Sequence, residues 1–483
     1  MRQKLLSFVA ASFLALSVPV AAQSLALPRA EPGAVSGGTL RVAVDRLTSY
    51  NLIPHDNTWI GTFLNQFEAL VRVDDKGQFH PWLAKSWDIS DDGKVYTFKL
   101  RDDVVFQDGD KFNAQAVKFN FDSLYESKLQ RIQSYKASLL YHYKEARVLD
   151  DYTVRIELAK PDASFLTRIG TLVGAIVSPS SIKALKPENL GDSLKGTGPF
   201  ELVRFIPDQR LVYKRFDKYN WAAADAKHNG PAYLDSLVID YVPDAAVRAG
   251  LLSSGQVDFV TAVGLNDIPL FQDNADFQFI SRPDNSVPWT WYFNVNGFAT
   301  NDIRVREAFR EALDLGALVS GIYQSTGKRA WSQIASGSTY YNKGIEGTYS
   351  NNVERANALL DEAGWTGRNA EGIRTNDKGQ ALELVLLDRG LFGRNKLFGE
   401  AAQQVLRENA GIKLTFDTVD MAQGFAKRSE NKYSLFHTQI GGYDLGESLI
   451  NLFSSHGVMN FAKVSDRVLT VLMHERAGEG WRM

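Results

Sequence analysis

The region from Leu382 to Asp420 places a helix between two apolar strands, and this order constrains the fold more than any other feature of the sequence. LELVLLD and IKLTFDTVD are separated by a helical pattern from about Lys396 to Glu408. A crossover of this length joins parallel strands, and parallel sheets occur almost only where helices cover them. We therefore predict an α/β protein. At 483 residues the chain exceeds what one core usually holds, so we expect several lobes.

Residues 86–114, SWDISDDGKVYTFKLRDDVVFQDGDKFNA, contain two acidic turns beside short strands. Asp91-Asp92-Gly93 predicts a hairpin turn, because Asp tolerates left-handed dihedrals and Gly adopts them freely. Val95–Leu100 predicts the strand that follows, and Asp108-Gly109 repeats the turn signal. The first turn begins like a calcium loop, but Lys99 occupies the twelfth position, where a bidentate Glu is needed. We interpret the stretch as surface hairpins.

Three further segments have a clear periodicity. Residues 115–145 place Val117 and Phe121 on one face of a predicted helix. VERANALLDEAGW predicts an amphipathic helix that ends at Gly364. DYTVRIELAK, residues 151–160, alternates as a half-buried strand does. This mixture of elements is typical of several α/β lobes.

The first 22 residues have the three-part pattern of a secretory signal. Met1-Arg2-Gln3-Lys4 is basic, Leu5–Val18 is almost entirely apolar, and Val20-Ala21-Ala22 offers small residues for cleavage. The apolar run is too short for a comfortable membrane span, and an uncleaved amphipathic anchor is the alternative. We expect cleavage near Ala22 and export to the periplasm.

The sequence contains no cysteine. An exported chain of this length can build its own core without disulfides. The absence excludes a thiol nucleophile, a thiolate metal site and a lipid-modified cysteine at the mature N-terminus, so we do not expect a lipoprotein. The net charge of −2 and the lack of a dense Lys/Arg run argue against nucleic acid as a partner.

Catalytic sequence patterns are absent or incomplete. None of the seven histidines stands in a zinc-hydrolase pattern. GIYQSTGKR resembles a phosphate loop, but the interval from Gly321 to Gly327 is one residue too long and Arg329 replaces the required Ser or Thr. Ser180-x-x-Lys183 lacks the Lys-Thr-Gly partner of serine acylases. A catalytic pair of carboxylates for glycoside hydrolysis is an alternative that stays open, because the chain has 56 acidic residues. We assign no catalytic residue, no metal site and no cofactor.

Aromatic residues make up 11% of the chain, which contains nine Trp. Trp59 follows LIPHDN, whereas Trp289 and Trp291 follow DNSVP and lead into YFNVN, which contains Asn294. Core packing is one interpretation of each Trp. The other is the aromatic wall of a solute pocket, which carries a few polar groups. We predict that Trp59, Trp289, Trp291 and Asn294 contact a ligand.

Several segments resemble one known family in the order in which they occur. FEALVRVDDKGQFHPWLAKSWDISDDGKVYTFKLRDDVVFQDGDKFNAQAVKF is similar to the signature region of the peptide/nickel-type solute-binding proteins of ABC importers, bacterial extracellular solute-binding family 5. This family includes the dipeptide- and oligopeptide-binding proteins. GTGPFELVRF, VDFV, FNVNGFATNDIRVREAFREALD and NNVERANALLDEAGW match further landmarks. The resemblance extends from about Gly37 to about Asp466.

The resemblance implies a type II-like periplasmic binding protein fold, with two ligand-grasping lobes, a hinge and an extra third lobe. Lobe I would comprise residues 23–69 and 195–288, the extra lobe residues 70–194, and lobe II residues 289–483. The acidic hairpins would then belong to the scaffold of the extra lobe. Ligand would bind between the grasping lobes, and closure would bury it. The family's chain returns to lobe I with a final strand, and we expect that strand to be missing from a sequence that stops at RAGEGWRM.

Two ligand positions of the family can be compared with this sequence. In peptide binders, a Trp-x-x-Asp-Tyr segment supplies the Asp that holds the peptide α-ammonium, and the matching segment here is QIGGYDLGES. Gln439 replaces the Trp, Gly442 replaces the Asp, Tyr443 is retained, and Asp444 follows it. An ammonium buried without a carboxylate is costly, so ordinary peptides are disfavoured. Arg394 lies near where dipeptide binders place a carboxylate-holding Arg, although a solvated Arg at a helix start is the alternative.

The resemblance thus implies a monomeric periplasmic receptor that delivers a small polar organic solute to the permease subunits of an ABC importer. A peptide, an opine-like conjugate and an oligosaccharide are the solute classes left open. A secreted hydrolase that uses two carboxylates, and a ligand sensor without a transport role, are the alternative functions.

Overall fold

The computed structural model describes residues 30–45, 66–74, 77–126, 140, 142–170, 174–184, 193–281, 287–323, 326–338, 340–349, 351–388, 393–419, 421–440, 445–455, 457 and 459–465. Within these residues, no helix is both long enough and apolar enough to span a bilayer.

The elements are introduced here in chain order. The strands are β1 (Thr39–Val44), β2 (Val71–Val73), β3 (Phe79–Pro81), β4 (Ala84–Ile89), β5 (Val95–Leu100), β6 (Tyr143–Asp150), β7 (Thr153–Leu158), β8 (Phe200–Ile206), β9 (Arg210–Arg215), β10 (Ser236–Tyr241), β11 (Phe259–Val260), β12 (Val287–Phe293), β13 (Gly367–Arg368), β14 (Arg374–Thr375), β15 (Glu383–Asp388), β16 (Lys413–Thr418) and β17 (Leu435–Ile440). The helices are α1 (Ala114–Glu126), α2 (Phe165–Ile169), α3 (Pro179–Lys183), α4 (Ala245–Ser253), α5 (Ile268–Gln272), α6 (Ile303–Glu311), α7 (Leu315–Tyr323), α8 (Val353–Glu362), α9 (Gly393–Ala410), α10 (Met421–Ser429) and α11 (Leu445–Phe453).

The first sheet has the strand order β11-β1-β10-β9-β8. Strand β1 pairs in parallel with β10 and β11, whereas β8, β9 and β10 pair in antiparallel fashion. Successive residues of β1 point to opposite faces. Val42 and Val44 pack in one core with Tyr213, and Ala43 packs with Val260 in another. Apolar residues therefore cover both faces of β1, as is typical of a strand with parallel neighbours.

The second sheet, of order β4-β5-β7-β6, is antiparallel throughout. The predicted acidic hairpin is the turn between β4 and β5, and Gly93 has the expected left-handed backbone, with φ of +67°. The strand prediction for Val95–Leu100 is confirmed by β5, and the one for residues 151–160 is confirmed by β7.

The helix predicted over residues 115–145 is wrong at its C-terminal end. Helix α1 spans Ala114–Glu126, but the chain from Tyr143 onward forms β6. Tyr143 pairs with Leu158 of β7, and Ala146 pairs with Ile156. Pairing with β7 determines the strand conformation of β6. The periodicity of residues 115–145 contains no information about β7, so it could not predict this strand.

The core of the second sheet extends beyond the predicted extra lobe. Phe216, Tyr219 and Trp221 follow β9 in the chain, yet they pack in the same cluster as Phe98 and Phe121. The segment after β9 therefore joins the first sheet to the second one. The predicted lobe boundaries stay a prediction. This packing shows that residues 216–221 connect the regions of the first and second sheets.

Glu68 lies at this junction with its carboxylate fully buried. Oε1 accepts from the Tyr219 hydroxyl at 2.6 Å and from Trp82 Nε1 at 2.9 Å. Oε2 accepts from Thr197 Oγ1 at 2.8 Å and from Trp221 Nε1 at 3.0 Å. Burial raises the pKa of Glu68 to about 7, and the four hydrogen bonds oppose that rise. The carboxyl group thus connects residues that are far apart in the sequence.

The third sheet has the order β12-β17-β15-β16, in which β15 pairs in parallel with β16 and β17. The predicted strand–helix–strand unit is therefore confirmed as β15, α9 and β16. Helices α6 to α9 contribute to the core on one face of this sheet, and α11 contributes to the core on the other face. Helix α8 ends at Glu362, and Gly364 behind it has φ of +87°, as expected of a helix C-terminus.

Candidate functional site

The third sheet contains a topological switch point at the carboxyl ends of β15 and β17. After β15, the chain passes through α9 to β16 on one side, and then through α10 to β17 on the other side of β15. Connections that leave neighbouring strands in opposite directions open a crevice outside their carboxyl ends, where ligands bind in open α/β sheets. Asp388 ends β15 and Ile440 ends β17, so these ends mark the candidate ligand edge.

A chain of hydrogen bonds crosses the ligand edge. Trp289 Nε1 donates to His437 Nδ1 at 3.2 Å, and His437 Nε2 lies 2.9 Å from Asp388 Oδ1. Thr418 Oγ1 donates to Asp388 Oδ2 at 3.1 Å. These side chains come from β12, β17, β15 and β16, so the chain of bonds spans all four strands of the sheet. Since the Asp388 and His437 side chains are only 6% and 13% exposed, satisfied hydrogen bonds of this kind hold them rigidly.

The two predicted tryptophans lie on the face of β12 that α9 covers. The ring of Trp289 is edge-on to Phe398 and to Trp291, with ring centres 5.5 and 5.9 Å apart. Trp291 also packs against Phe309, and its buried indole N–H has no acceptor among the described residues. Trp291 therefore contributes to the core, whereas Trp289 stands at the end of β12 that borders the ligand edge.

Arg394 is in the first turn of α9, which follows the carboxyl end of β15. Its Nη1 donates to Thr326 Oγ1 at 2.7 Å, and beside it the Tyr323 hydroxyl donates to Asn395 Oδ1 at 2.6 Å. Burial lowers the pKa of Arg394, and the nearby Tyr323 opposes that change. Within the described part of the chain, no carboxylate forms an ion pair with Arg394. A guanidinium is a forked donor that can pair with a carboxylate.

Asn294 is fully buried and its side chain is used within the fold. Its Nδ2 donates to the carbonyl of Tyr433 at 3.0 Å and to Asn431 Oδ1 at 3.1 Å. Its Oδ1 accepts from the main-chain N–H of Asn296 at 3.1 Å. Asn294 follows the far end of β12, beside the amino end of β17, so the structure does not bring it to the ligand edge.

Gln439 is exposed near the end of β17 and therefore borders the ligand edge. The remaining predicted site residues, Trp59, Tyr443 and Asp444, lie outside the described residues, as do Gly442 and the predicted signal segment. Of the predicted set, the structure thus gathers Trp289, Arg394 and Gln439 around one edge of one sheet.

The carboxyl edge of the first sheet has its own fixed arrangement. Arg248 of α4 is 2% exposed and donates at 2.6 to 3.0 Å to four main-chain carbonyls, those of Val242, Pro243, Thr261 and Ala262. These bonds tie the end of β10 to the end of β11. Thr261 Oγ1 also donates to Asp45 Oδ1 at 3.0 Å, which brings in the residue after β1. Hydrogen bonds thus preorganise this edge.

A surface groove of about 750 Å³ lies beside Asn296, which follows β12, and beside the C-terminus of α8. It is therefore near the end of β12 that is away from the ligand edge. Phe298 and Trp365 border it, with ring centres 5.8 Å apart. None of the predicted site residues that the structure describes lines this groove, so its size alone does not make it the solute site.

Sequence reasoning did not select Asp388 or His437. A signal existed for Asp388, because it ends the predicted strand LELVLLD, and polar residues at the carboxyl ends of parallel strands gather at ligand sites. His437 lies inside a strand, in LFHTQI, and its partners Trp289 and Asp388 are 148 and 49 residues away in the sequence. Only the assembled sheet reveals that group.

Polar side chains at the carboxyl ends of parallel strands are the arrangement with which open α/β folds bind ligands. The crystal structure of NikA from Brucella suis in complex with Fe(III)-EDTA has this fold: it matches with a TM-score of 0.74 over 92% of this chain and 91% of that chain, at 24% identity. The description "Bacterial extracellular solute-binding proteins, family 5 Middle" matches residues 78–460. The chain belongs to this family, and the predictions of family and fold class are confirmed.

Two curated relatives have comparable similarity to this chain, and their names refer to different ligands. Heme-binding protein A of Haemophilus influenzae is 32% identical over 303 residues, which are 59% of this chain and 54% of that protein. The dipeptide-binding protein of Escherichia coli is 31% identical over 304 residues, 59% of this chain and 55% of that protein. The matched region thus spans just over half the length of each relative.

Proposed function

We propose that this protein is the periplasmic receptor of an ABC importer, which captures a small polar organic solute and delivers it to the permease subunits. The observation that supports the proposal is the ligand edge of the third sheet, where Trp289, Arg394 and Gln439 lie near the carboxyl ends of β15 and β17. Closure of two lobes around the solute would create the form that a permease recognises. The receptor acts as a monomer and leaves its solute chemically unchanged.

The location of the receptor follows from the first 22 residues. A basic start, an apolar run and small residues before Gln23 support export and cleavage near Ala22. Because the sequence has no cysteine, the exported protein has no site for lipid attachment through a thiol. We infer a freely diffusing periplasmic protein.

The solute that this chain favours is neutral or anionic and lacks a free α-ammonium. Gly442 replaces the carboxylate that peptide-binding members of the family use for the ammonium. Arg394 supplies a half-buried cation that donates to a neutral hydroxyl and has no carboxylate partner among the described residues, so it is available to a solute carboxylate. An N-acylated amino acid or peptide satisfies both conditions, because acylation removes the charge of the α-nitrogen. An opine-like conjugate keeps a secondary ammonium but carries a second carboxylate of its own beside it, and a neutral oligosaccharide satisfies the first condition.

A thermal-shift screen with matched variants tests this function. A solute present at 100 times its Kd adds about 2.7 kcal/mol to the free energy of unfolding, which is readily measured. The panel contains free dipeptides, the same peptides with blocked N-termini, opine-like conjugates and oligosaccharides. We expect stabilisation by the blocked or N-substituted carboxylates, and recovery of each solute intact. Release of a cleavage product would instead identify a hydrolase.

Arg394→Gln provides the site-directed test. It should raise the Kd of an anionic solute roughly tenfold or more, because a charge-assisted hydrogen bond is lost. Arg407→Gln is the matched control: Arg407 lies on the same helix and donates to the carbonyl of Glu371 on the surface. Tight binding of a free peptide that is abolished by blocking its N-terminus would contradict the selectivity proposed here.

A further inference from the structure

Trp289 is held in a specific orientation by two independent features of the ligand edge. The first is a bulge. Val287 pairs with Ile440 and Thr290 pairs with Thr438, so β12 uses one residue more than β17 over this interval. A bulge at the end of a strand re-aims a side chain, and bulges are common next to ligand sites. Pro288 and Trp289 are the residues inside it.

The second feature is the hydrogen bond to His437. An indole N–H can only donate, so His437 Nδ1 must be the acceptor of the 3.2 Å bond from Trp289 Nε1. An imidazole whose Nδ1 accepts carries its proton on Nε2, and that N–H faces Asp388 Oδ1 at 2.9 Å. The tautomer that Asp388 selects is therefore the one that Trp289 requires.

Asp388 is itself fixed. Thr418 Oγ1 donates to its second oxygen, and the main-chain N–H of Val419 donates to its carbonyl at 2.8 Å. The carboxylate consequently has a defined direction, and it transmits that direction through His437 to the indole. The other contacts of the Trp289 ring, with Trp291 and Phe398, are apolar and edge-on, and they do not fix the direction of the N–H.

We propose that His437 is a positioning residue that orients the Trp289 indole as a wall of the solute site, and that Asp388 sets its tautomer. This inference rests on the receptor function proposed above. A fixed indole presents a flat apolar surface, and Phe398, which packs edge-on against it, lies four residues after Arg394 on α9. The site thus selects solutes that have a planar or aliphatic body and a carboxylate at one end.

Two variants of His437 separate its contacts. Asn places its Oδ1 near the position of Nδ1 and keeps an acceptor for Trp289, but it cannot reach Asp388. Gln places its amide N–H near the position of Nε2 and keeps a donor for Asp388, but it leaves the indole without an acceptor. The two variants are similar in polarity, so a general loss of stability would affect both.

The first measurement needs no solute. The nine Trp side chains give indole ¹H–¹⁵N resonances, and Trp289→Phe identifies the one from Trp289. We expect His437→Gln to shift this resonance upfield towards that of a free indole N–H, and His437→Asn to leave it near its original position. An unchanged Trp289 resonance in His437→Gln would overturn the inference. His80→Gln is the matched control, because His80 pairs with Asp74 at 3.0 Å and, within the described part of the chain, does not hydrogen-bond to a Trp.

The second measurement is calorimetry with the solute that the thermal-shift screen identifies. His437→Gln should raise its Kd by roughly three- to tenfold, the value of one hydrogen bond, while His437→Asn raises it less. Equal effects of both variants would reduce His437 to a scaffold residue and overturn the inference, although the receptor function would stand. If no solute binds the unaltered protein, the receptor proposal fails, and the resonance measurement still decides whether His437 orients Trp289.

Discussion

The buried carboxyl group of Glu68 accepts four hydrogen bonds. Each of its oxygens accepts from one indole N–H and one hydroxyl, and the indoles are fixed donors whereas the hydroxyls of Tyr219 and Thr197 can rotate. A proton on either oxygen can therefore be donated to a rotated hydroxyl. Both protonation states fit the site, but burial favours the neutral one.

This residue gives a prediction on pH. The pKa of Glu68 is raised to about 7 in the folded protein from 4.5, so the folded state binds more protons between these values. Its favourable contribution is complete below about pH 4.5 and is lost as pH rises through 7, by on the order of 3 kcal/mol. We expect the stability difference between the unaltered protein and Glu68→Gln, measured by urea unfolding, to decrease from pH 5 to pH 8.

Glu201→Gln is the control for that titration. Burial raises the pKa of Glu201, but hydrogen bonds and charge from Lys195 and Lys214 outweigh it, so its pKa lies below the ordinary value. Its carboxylate is ionised in both states between pH 5 and pH 8, and the effect of its replacement should stay constant there. A constant difference for Glu68→Gln as well would contradict the raised pKa.

At the residue level, the sequence offered candidates where a family motif supplied the position, and these stay predictions; it offered none where burial decides the role of a residue. Arg394 and Gln439 could be selected from segments compared with family members. Glu68 stands in FEALVR like any surface Glu, since its partners Thr197 and Trp221 are 129 and 153 residues away. No feature of the neighbouring sequence indicates that Glu68 is buried, and none indicates the partners of His437.

The ends of helices and strands were predictable where a glycine in the sequence marks the turn or the helix terminus. The turn at Gly93 and the helix end at Gly364 both use left-handed backbone that glycine adopts without strain. The end of α1 lacks such a signal, and there the helix prediction ran on into β6. The long-range pairing of β6 with β7 was the missing information.

A pair of glycine variants tests this interpretation of α8. Gly364→Ala should lower the free energy of unfolding by about 1 kcal/mol, because φ of +87° is unfavourable for a residue with Cβ although the space around it is open. Gly250→Ala lies inside α4, has equally open space and ordinary helical backbone, and should raise the free energy of unfolding by about 0.5 to 1 kcal/mol. Chemical denaturation measures both values. The same sign for the two variants would mean that backbone conformation does not control them.

At the scale of the whole molecule, the sequence predicted an α/β protein of several lobes, and the sheets agree with it. The order of strands within each sheet was beyond reach, because β1 could have paired with any of several apolar strands. Packing also joins Phe216, Tyr219 and Trp221 to the second sheet, although the predicted lobes place them with the first. Lobe assignments by family resemblance follow the chain, whereas cores follow the burial of apolar surface.

The export proposed above concerns the whole chain, and it gives a further prediction. Mass spectrometry of the protein purified from a periplasmic fraction should find a mature form that begins near Gln23. Ala22→Arg places a large charged residue at the cleavage point and should yield the unprocessed chain. Recovery of the unaltered protein from the periplasm with Met1 still attached would show that the segment is an anchor.

Strand β1 has a consequence for the time course of folding. Thr39 pairs with Ser236, 197 residues later in the chain, and the second partner, β11, follows later still. A strand emerging early from the ribosome therefore finds no native neighbour until a large part of the polypeptide exists, and sheets closed by such distant contacts form slowly. For the exported receptor proposed above, this delay would be an advantage, because the topology of the first sheet would keep the newly made chain unfolded for longer and so favour its translocation across the membrane.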